Sequence, residues 1–116
     1  MLKAVALLGA LAVAAGAFGA HGLRGQVDER MLRAWMTASE YHLIHAGVLL
    51  ALVLFAESTQ RPVTIPLALF LAGIGLFSGS LYCMVLSGQT WLGAITPIGG
   101  LCLIGGWLSL FTLARP

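Results

Sequence analysis

Charge is what this chain has least of. Only 9% of its 116 residues are Asp, Glu, Lys or Arg, against about 25% in soluble domains, while 59% are hydrophobic and the mean hydropathy is +0.98. Six basic and four acidic side chains cannot give so apolar a chain a surface for water, which excludes an ordinary soluble domain. Lys and Arg form no run and no patch interleaved with aromatics, so nucleic acid is not indicated as a partner. The two cysteines, Cys83 and Cys102, stand in separate apolar segments without CxxC or finger spacing and read as small packing residues. Catalytic signatures are missing as well. Ser78 and Ser80 lie in no nucleophile elbow, and no buried carboxylate is placed to orient a histidine. A secondary transporter would ordinarily carry a charged coupling residue near mid-membrane, and none is evident. Composition names no cofactor.

What the chain has is long hydrophobic runs. Counting about 20 apolar residues per span predicts four transmembrane helices at about 4–23, 37–56, 63–86 and 91–111, with turn chemistry in the breaks: Arg24-Gly25-Gln26, the stretch Glu57 to Pro62, and Ser87-Gly88-Gln89. The first run imitates a signal peptide, with Lys3 ahead of it and small residues near its end. Its length to Leu23 favours a span instead. The expectation is an all-α, single-domain integral membrane bundle over 1–116, with short loops between antiparallel neighbours. DERMLRAWMTASEYH, before and into the second span, is the one amphipathic stretch: Arg30, Arg33, Thr37 and Glu40 share a face, Met31, Trp35, Ala38 and His42 another, and Asp28 and Glu29 suit a helix N-terminus. It either lies in the interface or runs into the span.

Orientation is balanced. Lys3, Arg61 and Arg115 fall on one side and Arg24, Arg30 and Arg33 on the other, here called the loop-one side, so the positive-inside rule does not choose. Small residues recur four apart at Ala12-Gly16-Ala20, Ala15-Gly19 and Gly75-Gly79, which suits close helix approach. GAFGAHGL at 16–23 is faintly echoed by GLFSGSLY at 75–82, near the ends of the first and third spans. Pro97 either breaks the fourth helix, freeing the Gly93 carbonyl, or is its first helical residue after a longer loop.

The stretch EYHLIHAG raises the functional question. Span counting sinks His42 and His45 about 8 and 12 Å below the loop-one boundary. His21, Ser78, Ser80, Tyr82, Cys83 and Thr96 are expected at the same side. These polar groups of four helices form the candidate ligand-binding cluster: His21, His42, His45, Ser78, Ser80, Tyr82 and Thr96. Three readings stay open. The groups hydrogen-bond one another and fix the helices in register; they bind a small ligand, a lipid headgroup or a partner helix, or handle protons; or they bind a metal through His21, His42, His45 and Cys83, since HxxH faces one way and Met84 is at hand. A haem between helices fits poorly with glycine-rich surfaces built for close approach. Glu40 points about 160° from His42 on a helical wheel and reads as an interfacial charge.

Together, GAFGAHGL, the Trp35 to Ala46 stretch with YHLIHA, FSGSLY at 77–82 and ITPIGGLCLIGGW at 95–107 resemble the family called domain of unknown function 423, the YgdD-like small membrane proteins, to which transmembrane protein 256 of animals is similar. The resemblance spans nearly the whole chain. It implies a four-helix protein of the bacterial plasma membrane and carries no biochemical activity with it. The partners expected are the lipid bilayer and either a second copy or another membrane protein.

Overall fold

The computed structural model describes residues 1–114, and Arg115 of the charge balance lies outside them. Among the described residues four helices are long and apolar enough to cross a membrane: α1 (Leu2–Leu23), α2 (Glu29–Thr59), α3 (Thr64–Ser87) and α4 (Thr90–Leu113). Each break has a local cause. Gly25 and Gly88 take left-handed φ values of 82° and 74°, which glycine adopts without a Cβ penalty. Gln60, at φ 58°, closes α2, with its N–H on the Ala56 carbonyl (2.9 Å) and its side-chain amide on the Glu57 carbonyl (2.7 Å).

At the other end of α2, Asp28 is an N-cap whose carboxylate accepts from the Met31 N–H at 2.8 Å. The amphipathic stretch therefore does not lie apart in the interface. It is nearly the first half of one 31-residue helix, and Arg33 pairs with Glu29 one turn back at 3.6 Å. Pro97 sits in the first turn of the α-helical part of α4, which begins at Thr96 after a 3₁₀ turn over Thr90–Ala94. There its missing N–H costs nothing, since the first turn has no intrahelical acceptor for it. The Ile95 carbonyl takes the amides of Ile98 and Gly99, and the alternative of a mid-helix break is not the one realised.

Two stretches widen to π-helix, Gly19–Leu23 in α1 and Ile74–Gly79 in α3. They fall within, or one residue outside, the two echoed octapeptides. The echo is thus also one of backbone shape, a feature that often marks functional positions.

Helix α1 packs on α2, α2 on α3, and α3 on α4. Lipid tails are as apolar as leucine, so hydrophobicity alone does not hold such helices together; close packing and interhelical polar contacts do. The α3–α4 seam is backbone against backbone. A Cβ on Gly99 would fall on the main chain of Leu76 and Phe77, one on Gly73 on Leu103, and one on Gly106 on the Phe70 ring. Of the ridges expected from sequence, that of α1 is used: Ala12 is buried and Gly16 faces Ser39. Gly75 and Gly79 instead face outward, with nothing within 4 Å of a Cβ placed there. The larger apolar cluster surrounds fully covered Leu49 and Phe70, and a smaller one, at the loop-one end, joins Leu23, Trp35 and Val85. The buried polar residues lie between the two.

Candidate functional site

That polar belt is built outward from α2. Trp35, Ala38, Ser39, His42, His45, Ala46 and Leu49 form its buried stripe, as i, i+3, i+4 spacing on one face requires. His42 is 6% exposed and His45 4%. His42 Nδ1 meets the Tyr82 hydroxyl of α3 at 3.0 Å. The phenol reaches it because helical side chains lean toward their own N-terminus, which carries Tyr82 deeper than its Cα. The same ring packs on Trp35 with centroids 4.6 Å apart, and Trp35 Nε1 donates to the Ala15 carbonyl of α1 at 2.7 Å. Three helices are so connected through one indole, one phenol and one imidazole.

Deeper in the bundle, His45 Nδ1 lies 2.7 Å from the Tyr41 carbonyl, and its Nε2 receives the Trp107 Nε1–H of α4 at 3.1 Å. An indole nitrogen only donates, so His45 Nε2 is the acceptor and Nδ1 carries the hydrogen. Both ring nitrogens are satisfied by one neutral tautomer. The ring is also flanked by Phe70, at 5.7 Å between centroids. Ser78, 1% exposed, donates to the Ala38 carbonyl at 2.7 Å, and Ser80 and Thr96 share a 2.6 Å hydrogen bond between α3 and α4. One atom stands out. Among the described residues His42 Nε2 is buried with no partner inside hydrogen-bond limits, and the Leu8 main chain of α1 lies beside the ring.

Of the residues expected from sequence to converge, His42, His45, Ser78, Ser80, Tyr82 and Thr96 enter these contacts. His21 does not join His42 and Tyr82. It sits in the π turn closing α1 with its side chain exposed, because it lies about 200° around the helix from buried Gly19, off the face that meets α2. Cys83 is exposed too, one position past Tyr82 and therefore about 100° around the helix. Among the described residues no three His, Cys, Asp or Glu side chains gather as a metal's ligands. Trp107 was not anticipated: nothing in its local sequence distinguishes an indole aimed at α2 from one facing lipid. Trp35 carried a readable signal, since it shares the stripe of both histidines.

Four apolar helices joined by buried polar contacts define a small four-span integral membrane protein. The chain belongs to the family described as "Protein of unknown function (DUF423)", which it matches over residues 15–100, and the resemblance read from its motifs is borne out. It is similar to a UPF0382 membrane protein of Bacillus subtilis, 40% identical over 97% of both chains. Relatives of the same name include one in Staphylococcus aureus, 43% identical over 94% of this chain and 93% of its own, and one in Haemophilus influenzae, 39% identical over 94% and 88%. No solved structure matches.

Proposed function

We propose that the protein is a structural or assembly component of the bacterial plasma membrane, in which the polar belt locks four helices into one shape and that shape is presented to other membrane components. The observation that carries this is the satisfaction of the belt from within: the side chains of His45, Ser78, Ser80, Tyr82, Thr96, Trp35 and Trp107 all find protein partners. Polar groups in hydrocarbon must be paired, and here the pairs bridge α1 to α2, α2 to α3, α2 to α4 and α3 to α4. The outward ridge of Gly75 and Gly79 supports a second copy or another membrane protein as partner, since small residues let a helix approach closely. Cross-linking in native membranes tests this. A dimer or larger complex lost on Gly79→Leu is expected, and a monomer at every protein level contradicts it.

A second reading rests on His42 Nε2. A buried ring nitrogen without a partner requires an explanation, and a small polar ligand or a headgroup atom entering between α1 and α2 supplies one. Under this reading His42→Ala leaves the fold intact and removes bound ligand density; under the lock it lowers stability and removes nothing.

A further inference from the structure

The lipid-facing side of the α1–α2 pair carries a feature the polar belt does not use. Two grooves follow one another along it, sharing Val13 and Leu43 as walls. The deeper, about 350 Å³, runs over Gly9 and Gly47 toward Leu50; the shallower, about 370 Å³, passes Gly16 and ends at Glu40. Both are of the size that holds small ligands. A Cβ on Gly9 or Gly47 would meet nothing within 4 Å, so the floor is open. The walls are apolar apart from the upper end. There the Ser39 hydroxyl is spent on the Met36 carbonyl at 2.9 Å, which leaves the Glu40 carboxylate.

Among the described residues Glu40 has no cation of its own. Among the described residues the one ion pair joins Arg33 to Glu29, and Arg24 reaches back to the Ala20 carbonyl at 3.3 Å. A carboxylate at the edge of hydrocarbon is costly unless paired. Depth indicates what pairs it. From Glu40 to Leu50 α2 rises about 15 Å, half of the ~30 Å hydrocarbon core, and on α1 the walls continue to Leu2, so the groove beneath the carboxylate is at least one leaflet deep.

We propose that this groove holds one acyl chain of a lipid of the loop-one leaflet whose headgroup bears a primary amine, with the ammonium on Glu40. The apolar trough takes the chain, and the charge takes the headgroup through N–H donors that a quaternary ammonium lacks. A second copy is the poorer occupant: a symmetric dimer through this face sets two Glu40 carboxylates at the same depth without a cation between them. The proposal goes beyond the locking role and uses none of its side chains, so either can fail alone.

The test is native mass spectrometry of the full chain, delipidated in detergent and offered equal amounts of phosphatidylethanolamine, phosphatidylcholine and phosphatidylglycerol. The parent retains one lipid, with phosphatidylethanolamine preferred by about tenfold, the scale of one charge-assisted hydrogen bond. Glu40→Gln keeps a lipid and loses the preference. Gly47→Leu, whose Cβ has open space within 4 Å and whose side chain fills the trough, loses retained lipid of every class, and both variants melt with the parent. Equal retention of the three lipids by the parent overturns the proposal, as does a preference that survives Glu40→Gln or retention that survives Gly47→Leu. A dimer of the parent split by Gly47→Leu gives the groove to a second copy and overturns it equally.

Discussion

Replacing His45 separates what its ring packs from what its nitrogens bond. In His45→Phe a ring still fills the space beside Phe70, but the Trp107 indole N–H loses its acceptor. The Tyr41 carbonyl loses less, because the backbone ladder of α2 still supplies it with an amide. The expected cost is therefore that of one interhelical hydrogen bond in a bilayer, about 0.6 and up to about 1.7 kcal/mol. His45→Ala strands the same indole and also leaves a cavity between α2, α3 and α4, which brings the loss to about 2–4 kcal/mol. Thermal unfolding in detergent, followed by circular dichroism, reads both. At roughly 4 °C per kcal/mol for a chain of this size, the Phe variant melts a few degrees below the parent and the Ala variant about 8–16 °C below. A Phe variant as stable as the parent would refute the reasoning, because it would show that the hydrogen bond to Trp107 holds nothing. Equal losses in the two variants would assign the whole effect to the hydrogen bond and none to the packing of the ring.

Tyr82→Phe keeps the ring contact with Trp35 and removes the hydroxyl from His42, so a fall of about 1 kcal/mol in detergent stability is expected. Gly99→Ala drives a methyl into the backbone of Leu76 and Phe77, costing about 1–3 kcal/mol as overpacking, whereas Gly75→Ala, with open space around it, leaves the melting temperature unchanged. Zinc or copper added to the parent produces no rise in melting temperature; a rise abolished by both His42→Ala and His45→Ala would instead establish a metal site. Arg61 donates to the Leu113 carbonyl at 2.7 Å and lies over the Phe55 ring, and Arg61→Ala is expected to loosen the end of α4, seen as faster hydrogen exchange at Leu113 and Ala114.

The four helices were legible because a bilayer span demands a run of apolar residues that nothing in a 116-residue soluble chain requires. The Asp28 cap was legible in kind, although periodicity could not tell whether the amphipathic stretch joined the second span. The buried stripe of α2 followed from helical spacing, and with it Trp35, His42 and His45. His21 marks the limit of counting depth. A span count says how deep a residue sits and not which way it faces, and at 100° per residue His21 lies about 200° from buried Gly19, turned away from α2. The other limit is between helices. Whether Trp107 meets His45, or Gly99 rather than Gly79 carries the α3–α4 contact, depends on the rotation of α3 and α4 about their own axes, which no single helix encodes.

That the belt acts as a lock is tested most directly by a double-mutant cycle across His42 and Tyr82. Stabilities of the parent, His42→Phe, Tyr82→Phe and the double variant give the coupling between the two side chains free of their separate packing. The lock predicts a favourable coupling of about 0.6–1.7 kcal/mol in lipid-free detergent with no added ligand. A coupling of zero, with both single variants as stable as the parent, would contradict it and leave His42 and Tyr82 held in place for something they bind.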